Sequence, residues 1–262
     1  VVGTHENMMV FDFASLYPSV IIEKNVCYTT LVHPERTDVP DSHCHVCSWD
    51  EEVEVTTLDA EGEEVQTTKT VHYHHRFIRQ EYRKGIIPQI CEDLVNERVK
   101  VKNQIGPQND ALKNLILDIL QNVLKVSANS VYGGLSARFG LPLIEGARVV
   151  TYCGRQLNLH CQKVAVQHGM KVLAGDTDSI MTVLDPPIRD PRLCKKVGES
   201  FAKTLTAEFH KPLRVEYEKT YAIVILLKRK MYSGISLVTI MKNNVVEVEK
   251  CEFKKGWEND KF

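Results

Sequence analysis

The segment Lys171–Leu184, KVLAGDTDSIMTVL, joins two apolar, β-prone runs through a tight Gly-Asp turn. That pattern specifies a β-hairpin with Asp176 and Asp178 at its tip. A second run, residues 8–13 (MMVFDF), reads as a short buried strand with one acid, Asp12, near its end. A carboxylate in such apolar surroundings is costly unless it is paired or holds a cation. If the two strands are neighbours in one sheet, Asp12 and Asp178 face each other. Two carboxylates that close repel, and a divalent cation resolves the repulsion. Mg²⁺ suits the arrangement because it takes few carboxylates and fills its shell with water and phosphate oxygens. Two such ions about 3.5–4 Å apart clamp the attacking and leaving oxygens of an in-line displacement. Taken singly, Asp12 reads more readily as a cap of the next helix, and Asp176 and Asp178 as turn residues.

The remaining pattern predicts an α+β fold. ASLYPSVII turns from the first strand into a helix, and residues 33–75 read as a polar, acidic insertion of short strands and loops. A helix is expected over 89–106, broken by Gly106-Pro107, with Asp110 capping a second, strongly apolar helix. Two helices so joined make an αα-hairpin. A third helix is expected over 147–168, ending at Gly169. Another opens at Asp190-Pro191, with Leu193, Val197, Phe201, Leu205 and Phe209 as its apolar stripe. Three strand-like runs, LRVEYE, YAIVILL and YSGISLVTI, follow. Strands and helices in this order suggest a sheet with a helical protrusion.

The helical hairpin concentrates cations. Arg98 and Lys102 are four apart and share a face, and Lys125, Asn129 and Tyr132 share another. Arg98 lies 12 residues before Asp110 and Lys125 lies 15 after it. At about 1.5 Å per residue, their heights on an antiparallel hairpin agree within roughly 5 Å. Three cations at similar height suit a triphosphate. The overall net charge of −1 obscures this, because residues 44–66 hold eight acids and no Lys or Arg, leaving +7 on the rest. That acidic stretch is expected to be a solvated loop facing away from any polyanion. No run of 18 apolar residues or signal-peptide pattern appears, so no membrane span is expected. Eight scattered cysteines then read as reduced thiols of an intracellular protein.

Three motifs in this order carry a family resemblance. DFASLYPS (12–19), KVSANSVYG (125–133) and GDTDS (175–179) resemble the polymerase motifs of B-family DNA polymerases. NERVKVK (96–102) is similar to the basic fingers segment, and LLKRKMYSG (226–234) to the later Lys-Lys-x-Tyr element. The likeness covers residues 8–35 and 76–256. It is similar to eukaryotic replicative enzymes and, through VPDSHCHVCSW (39–49), closer to those of large double-stranded DNA viruses of eukaryotes. The resemblance implies an antiparallel polymerase palm with a helical-hairpin fingers subdomain. Residues 1–35 would be the first part of the palm, 36–85 an insertion, 86–133 the fingers, 134–250 the second part of the palm, and 251–262 the start of a thumb.

It further implies residue roles. Asp12 and Asp178 would hold two Mg²⁺ ions (Mn²⁺ substituting), with the Phe13 carbonyl completing one shell and Asp176 nearby. The amides of Ser15 and Leu16 would hold phosphates, and Tyr17 would exclude a 2′-OH. Arg98, Lys102 and Lys125 would grip the triphosphate, with Lys125 protonating the leaving pyrophosphate. Asn129 and Tyr132 would line the nascent base pair, and Arg229, Lys230 and Tyr232 would contact the primer duplex. Expected partners are primer–template DNA, dNTPs and a processivity factor, at the nucleus or a cytoplasmic viral replication site. Two departures stand out: Ala174 replaces the usual Tyr before GDTDS, and Arg229-Lys230 replaces Lys-Lys. A chain starting just before the first motif and stopping near a thumb would lack the exonuclease and grip duplex weakly.

The competing readings are another two-metal enzyme, such as a nuclease or RNA polymerase, and a non-catalytic polymerase-like scaffold. Tyr17 argues against the first, and intact Asp12, Asp178 and Lys125 against the second. The His43-Cys44-His45-x-Cys47 cluster lacks a second CxxC at zinc-site spacing, and we read it as a loop. Glu216 and Glu218 share a strand face, where a salt bridge is the expected role.

Overall fold

The computed structural model describes residues 1–58, 64–186, 191–228, 230–242 and 245–255. The fold is α+β, with five α-helices and two antiparallel sheets among these residues. The chain forms two compact units, one of residues 1–19 and 152–262 and the other of residues 20–151.

The first unit is built on a six-stranded antiparallel sheet. Its strands are β1 (Gly3–Phe13), β5 (Met170–Asp176), β6 (Ser179–Leu184), β7 (Val215–Lys228), β8 (Met231–Lys242) and β9 (Val245–Lys255). Their order is β5-β6-β1-β7-β8-β9. The continuous apolar run in β1 follows from burial on both faces. Met8 and Val10 join Leu173, Met181, Tyr221, Val224 and Leu226 in one buried cluster. Phe11 points the other way, edge-on to Phe201 at 5.2 Å between ring centroids. Phe201 belongs to α5 (Pro191–Ala207), which packs on β7 so closely that a Cβ on Gly198 would strike the Tyr217 ring at 2.3 Å. The buried stripe of α5 is Cys194, Phe201, Ala202 and Leu205. Phe201 and Leu205 are buried as expected, whereas Leu193 is 48% exposed and Cys194 is buried in its place. LRVEYE and YAIVILL run together as β7, and β9 continues the sheet where a thumb was expected to start.

The second unit holds a three-stranded sheet, in the order β2 (Leu31–Val32), β4 (Glu64–Ile78), β3 (Cys44–Leu58). Short strands and loops were expected here, but β3 and β4 are 15 residues each and pair over their whole length. The reason lies in the pleat. Polar Ser48, Asp50, Glu52 and Glu54 alternate with half-buried Trp49, Val53 and Val55, and Val- and Thr-rich β4 lies opposite. The acidic stretch is thus solvated on one face of a hairpin rather than in a loop. Cys44 and Cys47 are three apart on this strand and point to opposite faces.

Helices α2 (Ile86–Gln104) and α3 (Ala111–Leu135) form the expected antiparallel hairpin. The Asp110 side chain caps α3 by accepting from the Lys113 amide at 2.7 Å. Buried Asn25 fixes the approach to α2. Its amide donates to the carbonyls of Ile78 and Arg83, and its Oδ1 accepts from the Gly85 amide. Two helices take residues from both sequence divisions, α1 (Leu16–Glu23) and α4 (Ile144–Gln167).

Candidate active site

Cross-strand pairing gathers acids at one end of the six-stranded sheet. Asp176 on β5 stands opposite Ser179 on β6, Ser179 opposite Asp12 on β1, and Asp12 opposite Glu216 on β7. Paired residues of antiparallel strands project to the same face, with Cα atoms about 4.5–5.5 Å apart. Asp176, Asp12 and Glu216 therefore lie in one row, on the sheet face that carries Met8 and Val10. Asp178 occupies the turn just beyond this row, and the Phe13 amide donates to its carbonyl at 2.9 Å. The strand that carries Asp12 next to its end and the strand that begins after Asp178 are thus direct neighbours. Asp12 is half-buried and Asp178 exposed.

Local structure fixes both acid-bearing segments. Thr177, in the β5–β6 turn, takes a left-handed φ of 48°, and Ser15, between β1 and α1, one of 56°. The Ala14 amide donates to the Arg214 carbonyl at 2.9 Å, and Ser19 Oγ donates back to the Ala14 carbonyl at 3.2 Å. The turn is held from α4. Asn158 Nδ2 donates to the Ser179 carbonyl at 3.0 Å and to that of Thr177 at 3.4 Å, and Gln162 Nε2 donates to Asn158 Oδ1 at 2.7 Å. Gly175 permits this approach, since a Cβ there would lie 2.6 Å from Gln162 Nε2. This clamp was not anticipated from sequence. Two amides four apart on a helix look like surface residues until the hairpin is placed beneath them.

Tyr17 is positioned by α4 as well. A Cβ on Gly154 would lie 3.4 Å from Tyr17 Cε1 and Leu16 Cδ2, so both side chains lie along the helix backbone at that glycine. Glu216 is ion-paired with Arg214 at 2.6 Å and Glu218 with Lys219 at 2.6 Å. Glu218 is the extra residue of a β-bulge where β7 passes Val10 and Phe11. Lys230, with φ 62°, reaches Asp176 Oδ1 at 3.5 Å. Tyr232 meets the ring of Tyr221 edge-on at 6.1 Å. Burial pushes the Tyr221 phenol up to about 12, so it is neutral at any physiological pH. Arg229 lies outside the described residues.

Ala174 lies one cross-strand row behind Asp176, opposite Met181, which itself faces Val10. It lines a cavity of about 280 Å³ shared with Leu173, Met181, Leu226, Lys228 and Tyr232.

In the second unit, Arg98 Nε donates to Gln121 Oε1 at 3.3 Å across the α2–α3 contact. Because the helices are antiparallel, Lys102 lies one turn nearer the tip than the Arg98–Gln121 level and Lys125 one turn further from it, so the two lysines are about two turns apart. Lys102, Lys125 and Asn129 are exposed, whereas Arg98 and Tyr132 are half-buried.

The donors around Asp12 and Asp178 are all oxygens, the set that hard divalent cations prefer. Among the described residues no three His, Cys, Asp or Glu side chains group into a closed metal cage. A site for an ion that takes one or two carboxylates and completes its shell with water and phosphate fits this arrangement.

The family model for DNA polymerase family B matches residues 3–257. The chain is 34% identical to the DNA polymerase delta catalytic subunit of Arabidopsis thaliana, over 86% of this chain and 19% of that protein. It is 30% identical to the subunit of the same name from Plasmodium falciparum, over 94% of this chain and 22% of that protein. With the Bos taurus subunit the identity is 34%, over 86% and 19%. The chain thus spans about a fifth of the length of the curated relatives it matches. Among the described residues no helix is long and apolar enough to cross a membrane.

Proposed function

The chain belongs to DNA polymerase family B, and from that membership we propose that it is the catalytic core of a DNA-directed DNA polymerase serving DNA replication. The six-stranded sheet serves as the palm and the α2–α3 hairpin as the fingers. One observation carries the reading. Asp12 and Asp178 stand at the same end of two paired strands, with the Phe13 amide donating to the Asp178 carbonyl at 2.9 Å.

In this reading the two carboxylates and the Phe13 carbonyl would hold a pair of Mg²⁺ ions, which would supply charge neutralisation at the transferred phosphoryl group. The reaction joins the primer 3′-oxygen to the α-phosphorus of a dNTP and breaks the bond to the β-phosphate oxygen, releasing pyrophosphate. The chain's own residues bind and orient. The Ser15 and Leu16 amides, at the N-terminus of α1, receive phosphate oxygens, as helix N-termini do. Tyr17, lying against Gly154, forms the floor under the sugar and leaves no room for a 2′-OH. Arg98, Lys102 and Lys125 neutralise the triphosphate, and Lys125 gives its proton to the departing pyrophosphate. Asn129 and Tyr132 line the new base pair, while Lys230 and Tyr232 follow the primer strand. Primer–template DNA and dNTPs are the substrates, and a processivity factor is a further partner.

Asp178→Asn keeps the shape of the turn and removes one negative charge. Single-nucleotide incorporation on a primed template should fall by about 10³-fold or more, with primer–template affinity kept. Turnover within a few-fold of the parent would overturn the assignment. It would also favour a scaffold that retains the polymerase fold without its chemistry.

A further inference from the structure

We propose that Asn25 and Cys27 are positioning residues for nucleotide addition: they hold the foot of the α2–α3 hairpin and so fix where it carries Arg98, Lys102 and Lys125. The proposal rests on the polymerase reading above and gives a part in it to two buried side chains.

A helix leaves its first backbone N–H groups without partners of its own. In α2 these belong to Gly85, Ile86 and Ile87, since Pro88 has no N–H. Gly85 brings no side chain to cap them. The Gly85 amide donates to Asn25 Oδ1 at 2.9 Å, and the Ile87 and Ile86 amides donate to Cys27 Sγ. Every free donor of the first turn is thus taken by one distant tripeptide, Asn25-Val26-Cys27. Thr29 Oγ1 donates to the same sulfur at 3.3 Å. Burial pushes the Cys27 thiol up, but these donors outweigh it and hold its pKa below the ordinary value of 9.0. The packing is close as well, since a Cβ on Gly85 would lie 2.7 Å from Cys27 Cβ.

The tripeptide is itself fixed. Asn25 takes a left-handed φ of 55° and ends α1: its amide donates to the Ile22 carbonyl at 3.2 Å and that of Val26 to the Ile21 carbonyl at 3.0 Å, the paired bonds of a left-handed cap. Asn25 and Val26 are 0% exposed and Cys27 2%. The exit of the hairpin returns to the same place. The Tyr28 hydroxyl donates to the Leu141 carbonyl beyond α3, and a Cβ on Gly146, in the first turn of α4, would lie 2.7 Å from Val26 Cγ1. Both feet of the hairpin therefore stand on residues 25–28. Arg98 lies 12 residues beyond Ile86 and Lys102 lies 16. At about 1.5 Å per residue these are roughly 18 and 24 Å along α2, so a tilt of about 5° at the foot moves Lys102 by about 2 Å. A shift of that size takes an ammonium group out of hydrogen-bond range of a phosphate oxygen.

The test uses the 262-residue chain and a primer–template whose primer ends in a dideoxynucleotide, so that the next correct dNTP binds in Mg²⁺ without reacting. Dissociation constants are measured for the dNTP and for the primer–template, well below the melting temperature of each variant. Cys27→Ala leaves two amides without their acceptor and should weaken the dNTP about tenfold, with primer–template affinity kept within about twofold. Cys27→Ser keeps an acceptor and should hold the dNTP within about threefold of the parent. Asn25→Gly keeps the left-handed φ, removes the side chain and should weaken the dNTP at least as much as Cys27→Ala. In a Lys102→Ala background, Cys27→Ala should weaken it only about threefold, because one of the groups it misplaces is already gone. A role confined to stability would lower the melting temperatures and leave dNTP affinity unchanged. That result, equal losses in Cys27→Ser and Cys27→Ala, or full additivity with Lys102→Ala would overturn the positioning role. Extension of an ordinary primer by the parent is scored in parallel. Absence of extension with the dNTP pattern intact would sink the polymerase reading and keep the positioning role, whereas a parent that binds no dNTP would sink both.

Discussion

Tyr17 illustrates how much a single position can owe to a residue far along the chain. Its ring lies along α4 beside Gly154, and the same stretch of helix seats Leu16, which is 4% exposed. A ring fixed in this way can act as a steric wall, since yielding would mean losing its packing against the helix. Tyr17→Ala should remove the wall without unfolding the protein. Ribonucleotide incorporation relative to deoxyribonucleotide should then rise about 10- to 100-fold, measured as a ratio of kcat/KM values on one template. An unchanged ratio would remove Tyr17 from sugar selection. The acids follow the opposite logic. Asp12 follows an apolar stretch of β1, where Phe11 and Phe13 on either side of it are at most 4% exposed, and a carboxylate there is tolerable because the strand ends beside an open turn.

At the level of elements, the β5–β6 turn is held by α4 as well as by its own pairing. Asn158, 7% exposed, donates to the carbonyls on both sides of Asp178. Asn158→Ala leaves those acceptors and the Gln162 amide without their buried partner, at a cost of about 1–3 kcal/mol. The expected signature is a lower melting temperature together with a loss of incorporation at temperatures where the variant is still folded. Loss of stability with full activity would mean that the clamp supports the fold and not the site. The β3–β4 hairpin shows the same dependence of chemistry on geometry. Cys44-x-x-Cys47 would bring two thiols together in a turn, but along an extended strand residues three apart face opposite ways. The second unit also carries His75, whose ring burial holds its pKa below the ordinary value of 6.5. The unfolded chain then binds the proton more readily, so this group leaves stability unchanged above about pH 6.5 and works against folding as the pH falls below it.

Across the whole chain, the least expected surface is that of α3. Leu112, Leu115, Ile116, Ile119, Val123 and Val126 are 54–66% exposed, while Leu117, Ala128 and Leu135 face inward. Ile119→Lys should therefore change stability by no more than about 0.5 kcal/mol and reduce self-association in light scattering. Leu117→Ala, in contrast, should cost about 2–5 kcal/mol. A large melting shift for Ile119→Lys would show that this face is covered in solution. The same helix marks what could be read from sequence. Its cap at Asp110, its break at Gly106-Pro107 and its apolar character are local properties, and so are the β5–β6 turn, the strand before Asp12 and the spacing of Arg98, Lys102 and Lys125. Local φ/ψ preference and side-chain period settle such features within a few residues, which is why the α+β class, most of the elements and the candidate acids were legible in the residues alone. What required the folded chain was every relation across long sequence separation. The Asp176–Ser179–Asp12–Glu216 row, the Asn158 clamp, the full length of the β3–β4 pairing, the contact face of α5 and the cavity at Ala174 all depend on register between distant strands and helices. Register is set by how whole faces pack, and a shift of one residue would turn each of the strand side chains to the other side of its sheet.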